Sequence, residues 1–308
     1  MTGPLQLSAS PWDVQCSTIA DFDISAIEPI DRNGIFKLDR RASPRPCGKR
    51  YTGDVALPST DSGDRIYAIG DIHGRYDLLQ MLIARIGEHS ASLPPARSLY
   101  VVLIGDVVDR GPQSAEVLAM LYGLQRQNSR VIVLLGNHEE AMLQALDGDP
   151  DALRRWLAVG GDATLASFGI APLRTDDDPR DYMNGARRAI PRQWLAWLRQ
   201  LPLSVQSGDY YFVHAGVRPG VALARQVRDD MLWIRGEFLR SERDFGAVVV
   251  HGHSITPDVD VRENRIGIDT GAYRTGVLSA VYLEGEKGTY LLSRCQCELA
   301  KVSSCSKL

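Results

Sequence analysis

No apolar run in this sequence approaches the roughly 20 residues a helix needs to cross a bilayer, so a helical membrane protein is excluded. The opening stretch, MTGPLQLSASPWDVQ, lacks the basic and apolar segments of a secretory signal, and a cytoplasmic location is expected. Charge of one sign is also missing. Lys and Arg number 35 against 38 Asp and Glu, a net charge of −3, which argues against nucleic-acid or membrane-surface binding through a basic face. Cysteine is scarce and absent from the whole middle of the chain. Its five copies (Cys16, Cys47, Cys295, Cys297, Cys305) lie at the two ends, and an odd number without a signal reads as reduced thiols. Cys295 and Cys297 have no other Cys or His near them in sequence, so they are not expected to bind metal. There is no internal repeat and no low-complexity tract. The final Ser-Lys-Leu matches a peroxisomal address, and RRAS at 40–43 matches a basophilic kinase site; both are read as chance.

What is present is an ordinary globular composition, 44% hydrophobic and 24% charged, over 308 residues, enough for one large domain or two small ones. Residues 1–63 show no sustained period and are read as an extension that wraps the domain or stays mobile. A catalytic domain is expected over 64–293 and a tail over 294–308. From residue 64, short apolar strands alternate with helical spacing: RIYAIG then DLLQMLIARIGEH, SLYVVLIG then SAEVLAMLYGLQRQ, RVIVLLG then NHEEAMLQAL. Three strand–helix units in succession predict a largely parallel sheet with helices on its faces. The stretch 150–200 is helical, and its Trp156, Trp194 and Trp197 are read as packing residues. The second half is strand-rich, with GDYYFVHAGV, GAVVVHGHS, RIGIDTGAY, GVLSAVYLEG and GTYLLSR.

The apolar strands end in polar residues: GDIHG (70–74), GDVVDRG (105–111), GNHE (136–139), VHAG (213–216) and HGHS (251–254). Five of the six histidines fall in these stretches, with only His89 elsewhere, too many for structural accident. In open α/β sheets the functional crevice lies beyond the strand carboxyl ends. Carboxylate, amide and imidazole together form a mixed oxygen and nitrogen donor set that suits Mn, Fe or Zn, and the lack of thiolate argues against a structural zinc cluster.

GDxHG, GDxVDRG and GNHE, in this order, resemble the signature of metallophosphoesterases of the phosphoprotein-phosphatase type, and FVHAGV, MLWIR and VVHGHS resemble its bacterial serine/threonine phosphatase branch. The resemblance spans about 65–293. It implies a mixed α/β fold, a ββ-sandwich flanked by helices, with a dinuclear metal centre at the strand ends. It also implies phosphomonoester hydrolysis, commonly with manganese. By the family pattern Asp71 and His73 hold the first divalent ion, Asp106 bridges both, and Asn137, His214 and His253 complete the second. Only two ligand carboxylates leave the pocket net positive, which favours a phosphate dianion. Water held between two such ions attacks phosphorus in line, with no side-chain nucleophile. The resemblance makes His138 the general acid and Asp109 the residue that orients it, as a second group does in catalytic triads. It gives Arg110 and Arg235 the phosphoryl oxygens, which suit a guanidinium fork. His251 is read as structural. The Ser-Ala-Pro-Asn-Tyr loop of eukaryotic relatives is missing; IDTGAY (268–273) stands in its place, with Tyr273 a candidate for the substrate side.

The main expectation is therefore a serine/threonine (or dual-specificity) protein phosphatase, with a phosphorylated protein or peptide as its partner and oligomeric state left open. The alternative is a symmetrical dinucleoside-tetraphosphate hydrolase, which shares the signature. A catalytically inactive phosphate-binding scaffold comes last, because it predicts gaps in the motifs and none is found.

Overall fold

A computed structural model describes residues 57–294 and the strand β1 (Ile35–Lys37); the five cysteines, RRAS and the final Ser-Lys-Leu lie outside these residues. Ten further strands follow: β2 (Asp64–Ile69), β3 (Ser98–Leu103), β4 (Val131–Val133), β5 (Ser204–Ser207), β6 (Tyr210–Val213), β7 (Val248–His251), β8 (Asp260–Val261), β9 (Arg265–Gly267), β10 (Val277–Glu284) and β11 (Lys287–Arg294). They form two sheets, ordered β1-β5-β6-β7-β9-β8 and β11-β10-β2-β3-β4. In the second, β2, β3 and β4 are parallel, in register Tyr67 to Val101 and Val101 to Val131, and an antiparallel hairpin closes one edge. Within the first, β6, β7 and β9 are parallel. The part of the N-terminal extension that is described adds an edge strand, Ile35–Lys37, parallel to β5.

Strand alternation explains why two sheets pack face to face. Successive side chains point to opposite faces, so Ile66, Ala68, Val102, Ile104 and Ile132 turn one way and Tyr67, Ile69, Leu103, Val131 and Val133 the other. The first set meets Val205, Phe212, Val250, Ile266 and Ile268 of the other sheet in a buried layer. The second set packs under helices. Strands apolar on both faces read as near-continuous hydrophobic runs, as these do.

The covering helices are α1 (Tyr76–Ala91), α2 (Ser114–Gln127) and α3 (Asn137–Leu146), each directly after a parallel strand. Helix α1 buries Leu78, Leu79, Leu82 and Ile86, the stripe its spacing predicts. Then α4 (Pro150–Trp156) runs through a π-helical turn, Leu157–Gly161, into α5 (Asp162–Ser167), followed by α6 (Pro179–Ala189), α7 (Arg192–Leu198) and later α8 (Arg228–Trp233). No helix among the described residues is long and apolar enough to cross a membrane.

Candidate metal centre

The six expected metal ligands and His138 sit just past the carboxyl ends of parallel strands. Asp71 and His73 follow β2, Asp106 follows β3, Asn137 and His138 follow β4, His214 follows β6 and His253 follows β7. Because both sheets deliver their strand ends to one edge of the sandwich, residues 182 positions apart meet there, as His253 N–H does on Asp71 Oδ2 at 3.0 Å.

Two groups of ligand atoms converge, and Asp106 belongs to both. His73, Asp106 and His138 form one, and Asp106, His214 and His253 the other, with the atoms of each within 4.8 Å of one another. All are buried. The imidazoles are oriented for metal by backbone carbonyls: His73 Nδ1 lies 2.8 Å from Val108 O, and His214 Nδ1 2.8 Å from Ile104 O. A proton on each Nδ1 leaves the Nε2 lone pair facing the cluster. His214 Nε2 then meets Asn137 Oδ1 at 2.8 Å and Asp106 Oδ1 at 3.4 Å, a convergence of acceptors that a cation satisfies. His253 Nε2 is buried without a hydrogen-bond partner. Burial pushes His73 down to about 3 and His253 to about 2, so both are neutral ligands across the physiological range. The donor set thus fits divalent metal.

Asp71 is placed differently from its neighbours. Its carboxylate accepts from the backbone of His253, at 3.3 and 3.0 Å, and faces the charge of Asp269, while His138 stands where the first ion's group is completed. Burial first, then the Asp269 and Asp106 carboxylates, raise the Asp71 pKa well above the carboxylate range. Asp269 itself is raised to about 6 by burial. No motif singled out Asp269; its signal in the sequence was an acidic residue directly after the apolar RIGI.

The His138–Asp109 pair is tight. His138 Nδ1 lies 2.7 Å from Asp109 Oδ2. Burial opposes the imidazolium, but the Asp106 and Asp109 carboxylates outweigh it and raise the His138 pKa. Asp109 also accepts from Trp156 Nε1, 3.0 Å from both oxygens, and from Thr164 Oγ1 at 2.6 Å. Trp156 is therefore more than the packing residue its surroundings suggested: buried as expected, it also donates to the orienting carboxylate. Thr164 carried no recognisable signal. Arg110 reaches His73 Nε2 (3.0 Å) and His138 Nε2 (2.9 Å) with its two terminal nitrogens, and its guanidinium covers the Tyr273 ring at 4.8 Å. Arg235 is exposed, and its charge lowers the pKa of both His214 and His253. His251 is buried, its Nδ1 3.0 Å from Gly252 O and its ring against Phe238, outside both ligand groups.

Glu139, the last residue of GNHE, holds the loop after β3. Its buried carboxylate accepts from four backbone N–H groups: Asp106 and Gly136 on Oε2, both 2.9 Å, and Val107 (2.9 Å) and Val108 (3.1 Å) on Oε1. Gly136 is required at the strand-to-helix turn, since a Cβ there would lie 2.2 Å from Asp106 N. The non-glycine residues with positive φ among the described residues are His73, Asp106, Asp109, Arg110 and His253, all of them in this site. Such backbone costs of order 1–3 kcal/mol per residue and persists where surrounding bonds over-determine it, characteristically at active sites.

Comparison with known proteins agrees with this architecture. A symmetrical bis(5'-nucleosyl)-tetraphosphatase from Chromobacterium violaceum is 32% identical over 163 residues, 53% of this chain and 47% of that protein. The enzyme of the same name from Acidovorax sp. (strain JS42) is 32% identical over 200 residues, 63% of this chain and 58% of its own length. The chain thus spans about half the length of the curated relatives it matches. A crystal structure of a candidate diadenosine tetraphosphatase superposes with a TM-score of 0.52 at 20% identity, covering 77% of this chain and 99% of that one. A serine/threonine phosphatase from Saccharomyces cerevisiae superposes with a TM-score of 0.50 at 14% identity, covering 78% and 84%, a likeness of fold. The model of the calcineurin-like phosphoesterases matches residues 64–276, from the first strand of the parallel sheet past the last strand-end histidine, and the chain belongs to that family.

Proposed function

We propose that this metallophosphoesterase hydrolyses symmetrical dinucleoside tetraphosphates, water entering at the central linkage and two nucleoside diphosphates leaving. The observation that carries this reading is the match, at 31–33% identity over about half of the chain, to enzymes named symmetrical bis(5'-nucleosyl)-tetraphosphatase. The serine/threonine phosphatase expected from the motifs rests on blocks that both classes share, and the serine/threonine phosphatase structure is distant at 14% identity. It becomes the second reading. A cytoplasmic location goes with either.

Asp71, His73, Asp106, Asn137, His214 and His253 are the proposed ligands of two divalent ions, Mn2+ first among the candidates with Fe or Zn as alternatives. Bound there, the ions act as Lewis acids and make water nucleophilic at neutral pH. The chain's own groups do the rest. Arg110 and Arg235 hold phosphoryl oxygens by charge-assisted hydrogen bonds. His138 donates a proton from Nε2 to the departing oxygen. Asp109 fixes the ring through Nδ1 and stabilises its positive charge before transfer. A nucleoside diphosphate is a far better leaving group than a serine alkoxide, so the demand on His138 differs between the two readings.

The test is a metal-stripped, Mn-restored assay on diadenosine tetraphosphate, a phosphothreonine peptide and a phosphotyrosine peptide. Preferred cleavage of the dinucleotide, yielding ADP alone, supports the proposal. Peptide turnover with little nucleotide cleavage transfers the function to the protein-phosphatase reading.

A further inference from the structure

We propose that Trp233 is the platform on which the substrate's nucleobase stacks, and hence the residue that selects nucleotides over other phosphate esters. This deepens the dinucleotide reading and rests on it. Trp233 ends helix α8, two residues before Arg235, and is 46% exposed. Large aromatic surface is ordinarily covered, and this ring lies beside the phosphate chemistry. Its edge meets the His253 ring at a centroid distance of 6.3 Å and an interplanar angle of 85°.

The indole is held rather than loose. Its Nε1–H donates to Glu140 Oε2 at 3.1 Å, and the same carboxylate is fixed through Oε1 by Arg228 Nε at 2.6 Å. Glu140 directly follows the GNHE block, so the sequence segment that supplies Asn137 and His138 also sets the angle of this ring. With its only polar atom engaged, the exposed part of Trp233 has nothing to offer except a π-face. The other aromatic ring against the cluster, Tyr273, packs on His73 at 5.3 Å and has Arg110 over it. Of these two rings, Trp233 is the exposed one and Tyr273 the half-buried one with a guanidinium on it, which leaves Trp233 the better placed to take a flat partner. A pinned indole beside a phosphate-binding arginine matches the two halves of a nucleotide, a base and a phosphate chain.

The experiment compares wild type, Trp233→Ala, Trp233→Phe and Glu140→Gln, all loaded with Mn. The substrates are diadenosine tetraphosphate and glycerol 2-phosphate, the latter having no ring to stack. Trp233→Ala should raise KM for the dinucleotide about tenfold, within the range of base–aromatic stacking, and leave glycerol 2-phosphate turnover within about twofold. Trp233→Phe should keep most of the affinity, which separates the ring from its hydrogen bond to Glu140. The second readout needs no dinucleotide cleavage: competitive inhibition of glycerol 2-phosphate hydrolysis by AMP against ribose 5-phosphate. Wild type should favour AMP about tenfold, and Trp233→Ala should abolish the preference. Equal losses on both substrates, or no AMP preference in wild type, overturn the platform. AMP preference lost in Trp233→Ala, in an enzyme that leaves the dinucleotide intact, upholds the platform and removes the hydrolase reading instead.

Discussion

Thr164→Val tests how the His138–Asp109 pair is held, because it changes one hydroxyl to a methyl of nearly the same size. Thr164 Oγ1 donates to Asp109 Oδ1 at 2.6 Å, accepts from Asp109 N at 2.8 Å and lies 3.1 Å from Ser114 Oγ, so the substitution removes both bonds to Asp109 together with a third, longer contact. A hydrogen bond to a charged group contributes about 1.5–3 kcal/mol, and a neutral one about 0.5–1.5. Ser114 Oγ, 3.1 Å from Asp109 N, retains part of the second. The expected loss is about 2–4 kcal/mol, with little cavity cost because volume is conserved. Asp109 also has a φ of 73°, and these bonds join those from His138, Trp156 and Ser114 in holding it there. Freed of them, the carboxylate should drift from His138. The rate should fall about tenfold on a phosphoserine peptide, whose leaving group needs a proton, and less on p-nitrophenyl phosphate. Urea unfolding of the metal-stripped protein reads the first number and steady-state kinetics the second. Thr164→Ser keeps the hydroxyl and should retain most of both. A Val variant within about 0.5 kcal/mol of wild type, or a Ser variant as damaged as Val, refutes the reasoning.

Other substitutions probe separate links. His138→Asn should keep its metal content while losing more rate on a phosphoserine peptide than on p-nitrophenyl phosphate; equal losses would argue against proton donation. Gly252→Ala puts a Cβ 2.0 Å from Asp71 Oδ1, and elemental analysis should find fewer than two ions per chain. Gly87→Ala, on the exposed face of α1 with no atom within 4 Å of the added methyl, should instead stabilise by about 0.5–1 kcal/mol, measured by urea unfolding. Chelation should lower the melting temperature and Mn should restore it, since cations relieve the crowding of Asp71, Asp106 and Asp269; an unchanged melting curve would count against the ligand assignment.

The parallel strands and the helices that follow them were legible because each is a local pattern: RIYAIG and DLLQMLIARIGEH carry their periods within a few residues. The residues at the strand ends were legible because glycine and polar groups break apolar runs at the same point each time. What escaped shares a different property. Trp156, Thr164 and Asp269 act on partners 47, 55 and 198 positions away in sequence, and only the closed fold brings them near. Trp156 was read for its apolar bulk, correctly as far as burial goes, while its single N–H does the chemical work. Glu139 stood in a quoted motif, yet nothing local shows that a carboxylate three residues into a helix will gather three amides of another loop besides the cap of its own helix.

The left-handed backbone at His73, Asp106, Asp109, Arg110 and His253 makes the site a standing debt against the fold. Glycine at any of these positions would relax the main chain, and at the buried ones would also remove a desolvated polar group. A lineage that no longer needed the chemistry would therefore drift toward chains that are sturdier and inert. Screening a mutant library for heat resistance alone should enrich inactive survivors at these five codons, and a stabilised enzyme is better sought far from the strand ends.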